Sequence, residues 1–157
     1  LVPSHQPAHK EVEGGVTPED RWEMVRLACG DSPLVKPDRS ELDRGGTSYS
    51  IDTVESVLRS GGITGKPGLI IGDDLFRTFP TWRKSDQLLE LCELIVAPRE
   101  TAERLIYPYP HRYADNKILP ISSTEIRSRV RSGLPWRRLV PEAVFGYIES
   151  KGLYRSP

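Results

Sequence analysis

The chain is short of the residues that define several protein classes. Cysteine occurs only at Cys29 and Cys92. Both lie in segments of helical pattern, which argues against a disulfide scaffold and fits a reducing, cytoplasmic setting. No apolar run approaches the ~18 residues that a membrane span requires. Excess charge of one sign is also missing: 22 Lys and Arg face 22 Asp and Glu. There is thus no bulk field for nucleic acid or an acidic membrane, and any anion site has to be local. Internal repeats and low-complexity tracts are lacking. The opening Leu1-Val2-Pro3 has neither an initiator Met nor the charged, apolar and small-residue regions of a targeting segment. It reads as the tail of a strand already under way. What remains is ordinary globular composition, 37% hydrophobic and 28% charged over 157 residues.

The pattern along the chain alternates short apolar runs with amphipathic stretches. Thr17-Pro18-Glu19-Asp20 has the hydroxyl cap, first-position proline and early acids of a helix start. That helix carries Trp22, Val25, Ala28 and Cys29 at helical spacing and stops at Gly30. A short extended piece is expected at Leu34-Val35. Gly45-Gly46-Thr47-Ser48-Tyr49-Ser50 leads into a second helix bearing Ile51, Val54, Val57 and Leu58. Leu69-Ile70-Ile71 and Leu94-Ile95-Val96 read as strands buried on both faces. Asp73 to Phe79 reads as a turn or two of helix, and Ser85-Asp86 caps another. Thr101 to Asp115 reads as loop, Lys117 to Ile121 as a third strand. Helices beginning at Ser122 and Pro141 follow. Buried strands alternating with helices predict an α/β domain with a doubly wound parallel sheet. Ligands in such a domain lie at the carboxyl ends of the strands.

Two loops hold that position, Gly72-Asp73-Asp74 and Ile121-Ser122-Ser123-Thr124. In the second, a helix N-terminus adds unpaired N–H groups and positive dipole to three hydroxyls, and Arg127 can reach back over it with a fork suited to phosphate. The same residues also read as a capping box from Ser122 to Glu125 on a helix with a solvated basic face. Pro7-Ala8-His9-Lys10 joins an imidazole to an ammonium, suited to an anion or simply exposed. Trp82, beside Arg83 and Lys84, could stack on a flat ring or close the core as a lid. Asp73 and Asp74 could accept ribose hydroxyls or cap a helix.

The order of these segments resembles the bacterial nicotinate mononucleotide adenylyltransferases, within the nucleotidyltransferase superfamily. The marks are Pro7 to Lys10, Thr17 to Met24, Gly45 to Thr53, Leu69 to Asp74, Trp82, Ile121 to Arg127, Leu139 to Pro141, Tyr147-Ile148 and Leu153-Tyr154. The resemblance implies a Rossmann-like nucleotidyltransferase fold, taken as one domain over 1–157 with 122–157 as its helical part. It implies adenylyl transfer from ATP, with Mg²⁺, to nicotinate mononucleotide in NAD biosynthesis. ATP would meet Gly72, Asp74, Ile121, Ser122, Ser123, Thr124 and Arg127. Nicotinate mononucleotide would meet Lys10, Tyr49, Ser50, Trp82 and Arg83, with main-chain N–H groups taking the carboxylate and Trp82 stacking on the pyridine. Arg127, His9 and Lys10 would carry the catalytic charge, with no metal held by the protein itself. The partners implied are these small molecules alone, with neither nucleic acid nor membrane, and a monomer or homodimer. Sister enzymes acting on phosphopantetheine or on the nicotinamide mononucleotide are the alternatives, as is a nucleotide-binding module without turnover. Ser50 stands where the family usually has Thr, and Asp73 where it has a small residue. The family's opening strand and Gly-Gly-x-Phe-Asp-Pro-x-His-x-Gly-His segment have no counterpart, so a first βα unit of ~35 residues is expected to be absent, leaving sheet edges exposed.

Overall fold

A computed structural model describes residues 1–8, 15–99, 104 and 106–155. These fall into two compact units, residues 1–48 with 121–157, and residues 49–120. Every strand pairing in both is parallel, so the α/β class expected from the alternating pattern holds.

In the first unit β1 (Gln6–Pro7) pairs with β2 (Thr47–Ser48). The His5 N–H donates to Ser48 Oγ at 3.0 Å and strengthens that short pairing. Helix α1 (Pro18–Cys29) starts as its sequence dictates. Asp20 N–H donates to the Thr17 hydroxyl, Thr17 N–H donates back to the Asp20 carboxylate, and Pro18 sits at the first helical position. A short α2 (Ser40–Arg44) precedes β2. Later in the chain come α6 (Ser123–Arg131), a 3₁₀ turn at Arg137–Leu139 and α7 (Glu142–Lys151). Val130, Trp136, Val144 and Ile148 form this unit's core, with Met24, Leu27 and Phe145 packed against it. The Tyr147 hydroxyl donates to Asp20 at 2.9 Å and ties α7 to the start of α1.

Asp20 thereby gains a pH signature. Its hydrogen bond from Thr17, helped by Tyr147, holds its carboxyl below the ordinary 3.8 despite some desolvation. A depressed folded value means the contribution is present above the unfolded value and is lost as pH falls through the folded one. Asp20→Asn should therefore lower Tm by a constant amount from pH 7 to about 5, and the gap should close below about pH 4. Melting curves across that range check it; a gap that persists at low pH would assign the loss to packing.

The second unit contains α3 (Ser50–Arg59), β3 (Gly68–Gly72), α4 (Asp73–Phe76), a 3₁₀ turn at Phe79–Thr81, α5 (Ser85–Leu91), β4 (Glu93–Ala97) and β5 (Arg112–Tyr113). Its sheet runs β3-β4-β5. Ile51, Val54, Ile71, Phe76, Phe79, Leu88, Leu94 and Val96 close the core.

Several expectations need correction. The third strand is β5, not Lys117–Ile121, where Ile118, Leu119 and Ile121 stand exposed in an irregular segment. β4 is buried along Leu94, Ile95 and Val96, but β3 is an edge strand whose Ile70 is 67% exposed. Leu34-Val35 forms no strand, with Leu34 91% exposed. Of the expected apolar side of α1 only Cys29 is buried; Val25 and Ala28 line a cleft instead. The cap of α5 is Lys84, in left-handed backbone at φ 56°, rather than Ser85.

Candidate active site

The first unit contains a cleft of about 730 Å³ between the chain leading into β1, the cleft-facing side of α1, the start of α6 and the α7 region. One wall is apolar, with Val16, Met24, Val25, Val140 and Val144. The other brings together Ser4, Arg21, Ser123, Thr124, Arg127 and Tyr154. Among the described residues, those lining the cleft include two arginines and no carboxylate. A cleft of this size with an apolar wall, few polar groups and a helix N-terminus has the makeup of a phosphate-bearing ligand site.

Helix α6 is built to point its first turn there. Ser122 is the N-cap, and its Oγ accepts the Glu125 N–H at 3.1 Å. The capping-box reading is thus half realised, because Glu125 turns to Arg129 at 2.9 Å rather than back to the cap. Ser122, having accepted one bond, retains its hydroxyl proton as a donor. Ser123 and Thr124 reach the cleft directly. Arg127, one turn on, folds back so that Nη2 donates to Thr124 Oγ1 at 3.2 Å. Ile121 is exposed and is not among the residues that line the cleft.

Arg21 is the residue that pattern reading quoted without assigning. Its guanidinium donates to the Ser4 carbonyl and, at 2.7 Å, to the His5 carbonyl. Both acceptors are neutral. Partial burial pulls its basicity down, the cost of holding a cation away from water. The segment it fixes leads through Pro7 toward His9 and Lys10, which lie outside the described residues.

The second unit places the remaining residues. Asp73, almost fully buried, accepts the Asp74 N–H at 3.1 Å and the Arg99 N–H at 3.0 Å. This answers what an acid does where the family has a small residue: it clasps the ends of β3 and β4 together. Asp74 is exposed and pairs with Arg99 at 3.1 Å. Gly72 has an ordinary φ of −73°, so packing rather than conformation demands glycine. A Cβ there would fall on Asp74 Oδ1 and within 2.7 Å of Arg99 Cδ. Gly72→Ala should displace the Asp74 carboxylate from its pair with Arg99 and lower stability by about 1–3 kcal/mol. Denaturant titration checks this, and an unchanged midpoint would show that both side chains move aside freely.

Tyr49 is the N-cap of α3 and Ser50 its first residue, with no side chain capping that end. The Arg83 guanidinium stacks 4.7 Å over the Tyr49 ring. Trp82 is half-buried and packs on Phe79, ring centres 5.5 Å apart. Its role as a core lid is therefore realised, and stacking on a ligand would use its outer part. Among the described residues no group of three His, Cys, Asp or Glu stands together to hold a metal ion. No helix among them is long and apolar enough to cross a membrane.

Residues 1–129 match the Cytidylyltransferase-like family. The chain is similar to curated proteins named "Probable nicotinate-nucleotide adenylyltransferase". That of Borrelia hermsii is 38% identical over 154 residues, covering 98% of this chain and 80% of the relative. That of Treponema pallidum (strain Nichols) is 37% identical over 170 residues, covering 99% and 83%. That of Moorella thermoacetica is 38% identical over 166 residues, covering 99% and 76%. A crystal structure from Vibrio parahaemolyticus with the same enzyme assignment matches with a TM-score of 0.53 at 19% identity. That match covers 78% of this chain and 61% of the other, and bears on the fold alone.

Proposed function

This chain belongs to the cytidylyltransferase-like family, among its nicotinate-nucleotide adenylyltransferases, and we propose that it transfers the adenylyl group of ATP to nicotinate mononucleotide. The reaction yields nicotinate adenine dinucleotide and pyrophosphate and serves NAD biosynthesis. The observation that carries the reading is the cleft in which the start of α6 meets two arginines.

The attacking atom is a phosphate oxygen of the mononucleotide, ionised at neutral pH, so no general base is needed. A bond forms from that oxygen to the α-phosphorus while the bond from the α-phosphorus to the bridging oxygen breaks. The electron pair leaves with pyrophosphate. The protein's task is to align the two phosphates and to meet the negative charge that grows on the leaving group. Ser122, Ser123 and Thr124 would hold triphosphate oxygens with hydroxyl and main-chain donors, and Arg127 would supply the charge over them. Gly72 and Asp74 would seat adenosine, Asp74 accepting from the ribose hydroxyls. Main-chain N–H groups at Tyr49, Ser50 and Arg83 would take the nicotinate carboxylate, Trp82 would cover the pyridine, and His9 and Lys10 would face the mononucleotide phosphate.

Mg²⁺ would enter as the counter-ion of the triphosphate, where it would screen phosphate charge. We propose that 1–157 acts as one nucleotidyltransferase domain, 122–157 its helical part, and that it works in the cytoplasm as a monomer or homodimer without nucleic-acid or membrane partners. Product identification tests the reading. Incubation with ATP, Mg²⁺ and nicotinate mononucleotide should give the dinucleotide mass, and phosphopantetheine in its place should give none. A dephospho-coenzyme A product would move the enzyme to the sister reaction.

A further inference from the structure

From the strand ends of the second unit we infer that Asp73 is a positioning residue for Asp74, holding that carboxylate ready for the ribose of ATP. The inference rests on the reading of Asp74 as the acceptor of the ribose hydroxyls.

Three residues close a ring just past the end of the sheet. The β3–β4 ladder stops at the pair Gly72 and Ala97. There β3 turns straight into α4, whose N-cap, Gly72, has no side chain to bond the first turn. The Asp73 carboxylate takes over. Asp73 is only 6% exposed, and its Oδ1 accepts the Asp74 N–H at 3.1 Å and the Arg99 N–H at 3.0 Å. One oxygen thus fixes the main chain of two residues, one from each strand end. Their side chains then meet, with Arg99 Nη1 donating to Asp74 Oδ2 at 3.1 Å.

Asp74 is therefore held twice, at its main chain by Asp73 and at its carboxylate by Arg99. Its other oxygen, Oδ1, sits in the space that a side chain at Gly72 would fill. Asp74 keeps 36% of its side chain exposed, so a ligand hydroxyl can reach the carboxylate. Binding loses less to ordering when the acceptor is already fixed. A small residue at position 73, usual in the family, supplies no such acceptor. The clasp is a device of this chain, and it acts on the acid next to it.

Affinity for ATP and for dideoxy-ATP, which lacks both ribose hydroxyls, tests this by titration calorimetry. Asp73→Ala removes the acceptor of both N–H groups and should weaken ATP binding about fivefold. Dideoxy-ATP, already deprived of the contact, should bind variant and parent within about twofold of each other. Asp73→Asn keeps an oxygen able to accept both bonds and should bring ATP affinity to within about twofold of the parent. Tm falls in Asp73→Ala whichever role the residue has, so affinity decides. Asp73→Ser, with a shorter acceptor, carries the same comparison should the alanine variant not fold. In turnover, KM for ATP should rise with kcat little changed. ATP affinity unchanged in Asp73→Ala, equal weakening toward both nucleotides, or an asparagine variant as weak as alanine would each overturn the inference. A parent that binds ATP no more tightly than dideoxy-ATP would overturn the ribose reading of Asp74 itself, a distinct result.

Discussion

Replacing Arg127 with methionine is expected to lower kcat by two to three orders of magnitude, roughly 3–4 kcal/mol of transition-state stabilisation, while Tm moves by less than about 2 °C. Methionine keeps most of the stem and removes the charge, so packing is largely preserved. The guanidinium folds over the first turn of α6 rather than into a core. In the proposed reaction its value lies in charge placed where pyrophosphate departs. Only interactions that strengthen in the transition state raise kcat, and the growing charge on a leaving phosphate is such a partner. Arg127→Lys should recover part of the loss, because an ammonium supplies charge without the planar fork. Calorimetric melts and initial rates on the same preparations separate the effects. Equal loss of folding and turnover would make Arg127 structural.

The second large effect is on stability. Phe76 is fully buried, and four rings surround it: Tyr107 at 4.4 Å, His111 at 4.7 Å, Tyr109 at 5.3 Å and Tyr113 at 6.2 Å. The Tyr109 hydroxyl donates to the Phe76 carbonyl at 2.9 Å, and burial pushes its phenol up to about 12, so the donor persists across physiological pH. Phe76→Ala should cost about 3–5 kcal/mol, a large share of the 5–15 kcal/mol a domain commonly has. Denaturant titration followed by near-ultraviolet circular dichroism should show an early midpoint and loss of the aromatic signal. Phe76→Leu should cost less than half as much. A Phe76→Ala midpoint within about 0.5 kcal/mol of the parent would show that the surrounding rings collapse into the space.

That ring cluster lies in the stretch from Thr101 to Asp115 that reads as loop, of which 101–103 and 105 lie outside the described residues. Tyr107-Pro108-Tyr109-Pro110-His111-Arg112-Tyr113 alternates strictly, and its odd-numbered rings all contact Phe76. The prolines make it read as loop, and that holds from Tyr107 to His111, where Pro108 and Tyr109 form a bend. It fails only at Arg112–Tyr113, which pairs with β4. The false strand at Lys117–Ile121 is the converse: apolar composition without a neighbour to bury it. Local caps were the most legible features, because Thr17-Pro18 and Ser122 act on donors within three residues. Long-range duties were not legible. Nothing in the spacing says that Arg21 clasps Ser4 and His5, or that Asp73 bridges two strand ends.

The central claim is adenylyl transfer with a preference for the acid form of the mononucleotide. Pyrophosphate release, measured with ATP and Mg²⁺ on adding nicotinate mononucleotide and in parallel its nicotinamide counterpart, tests it most directly. The account predicts prompt release with the acid and at least tenfold less with the amide, since main-chain donors at the start of α3 and beside Trp82 favour a carboxylate. Equal rates, or release with the amide alone, would contradict it.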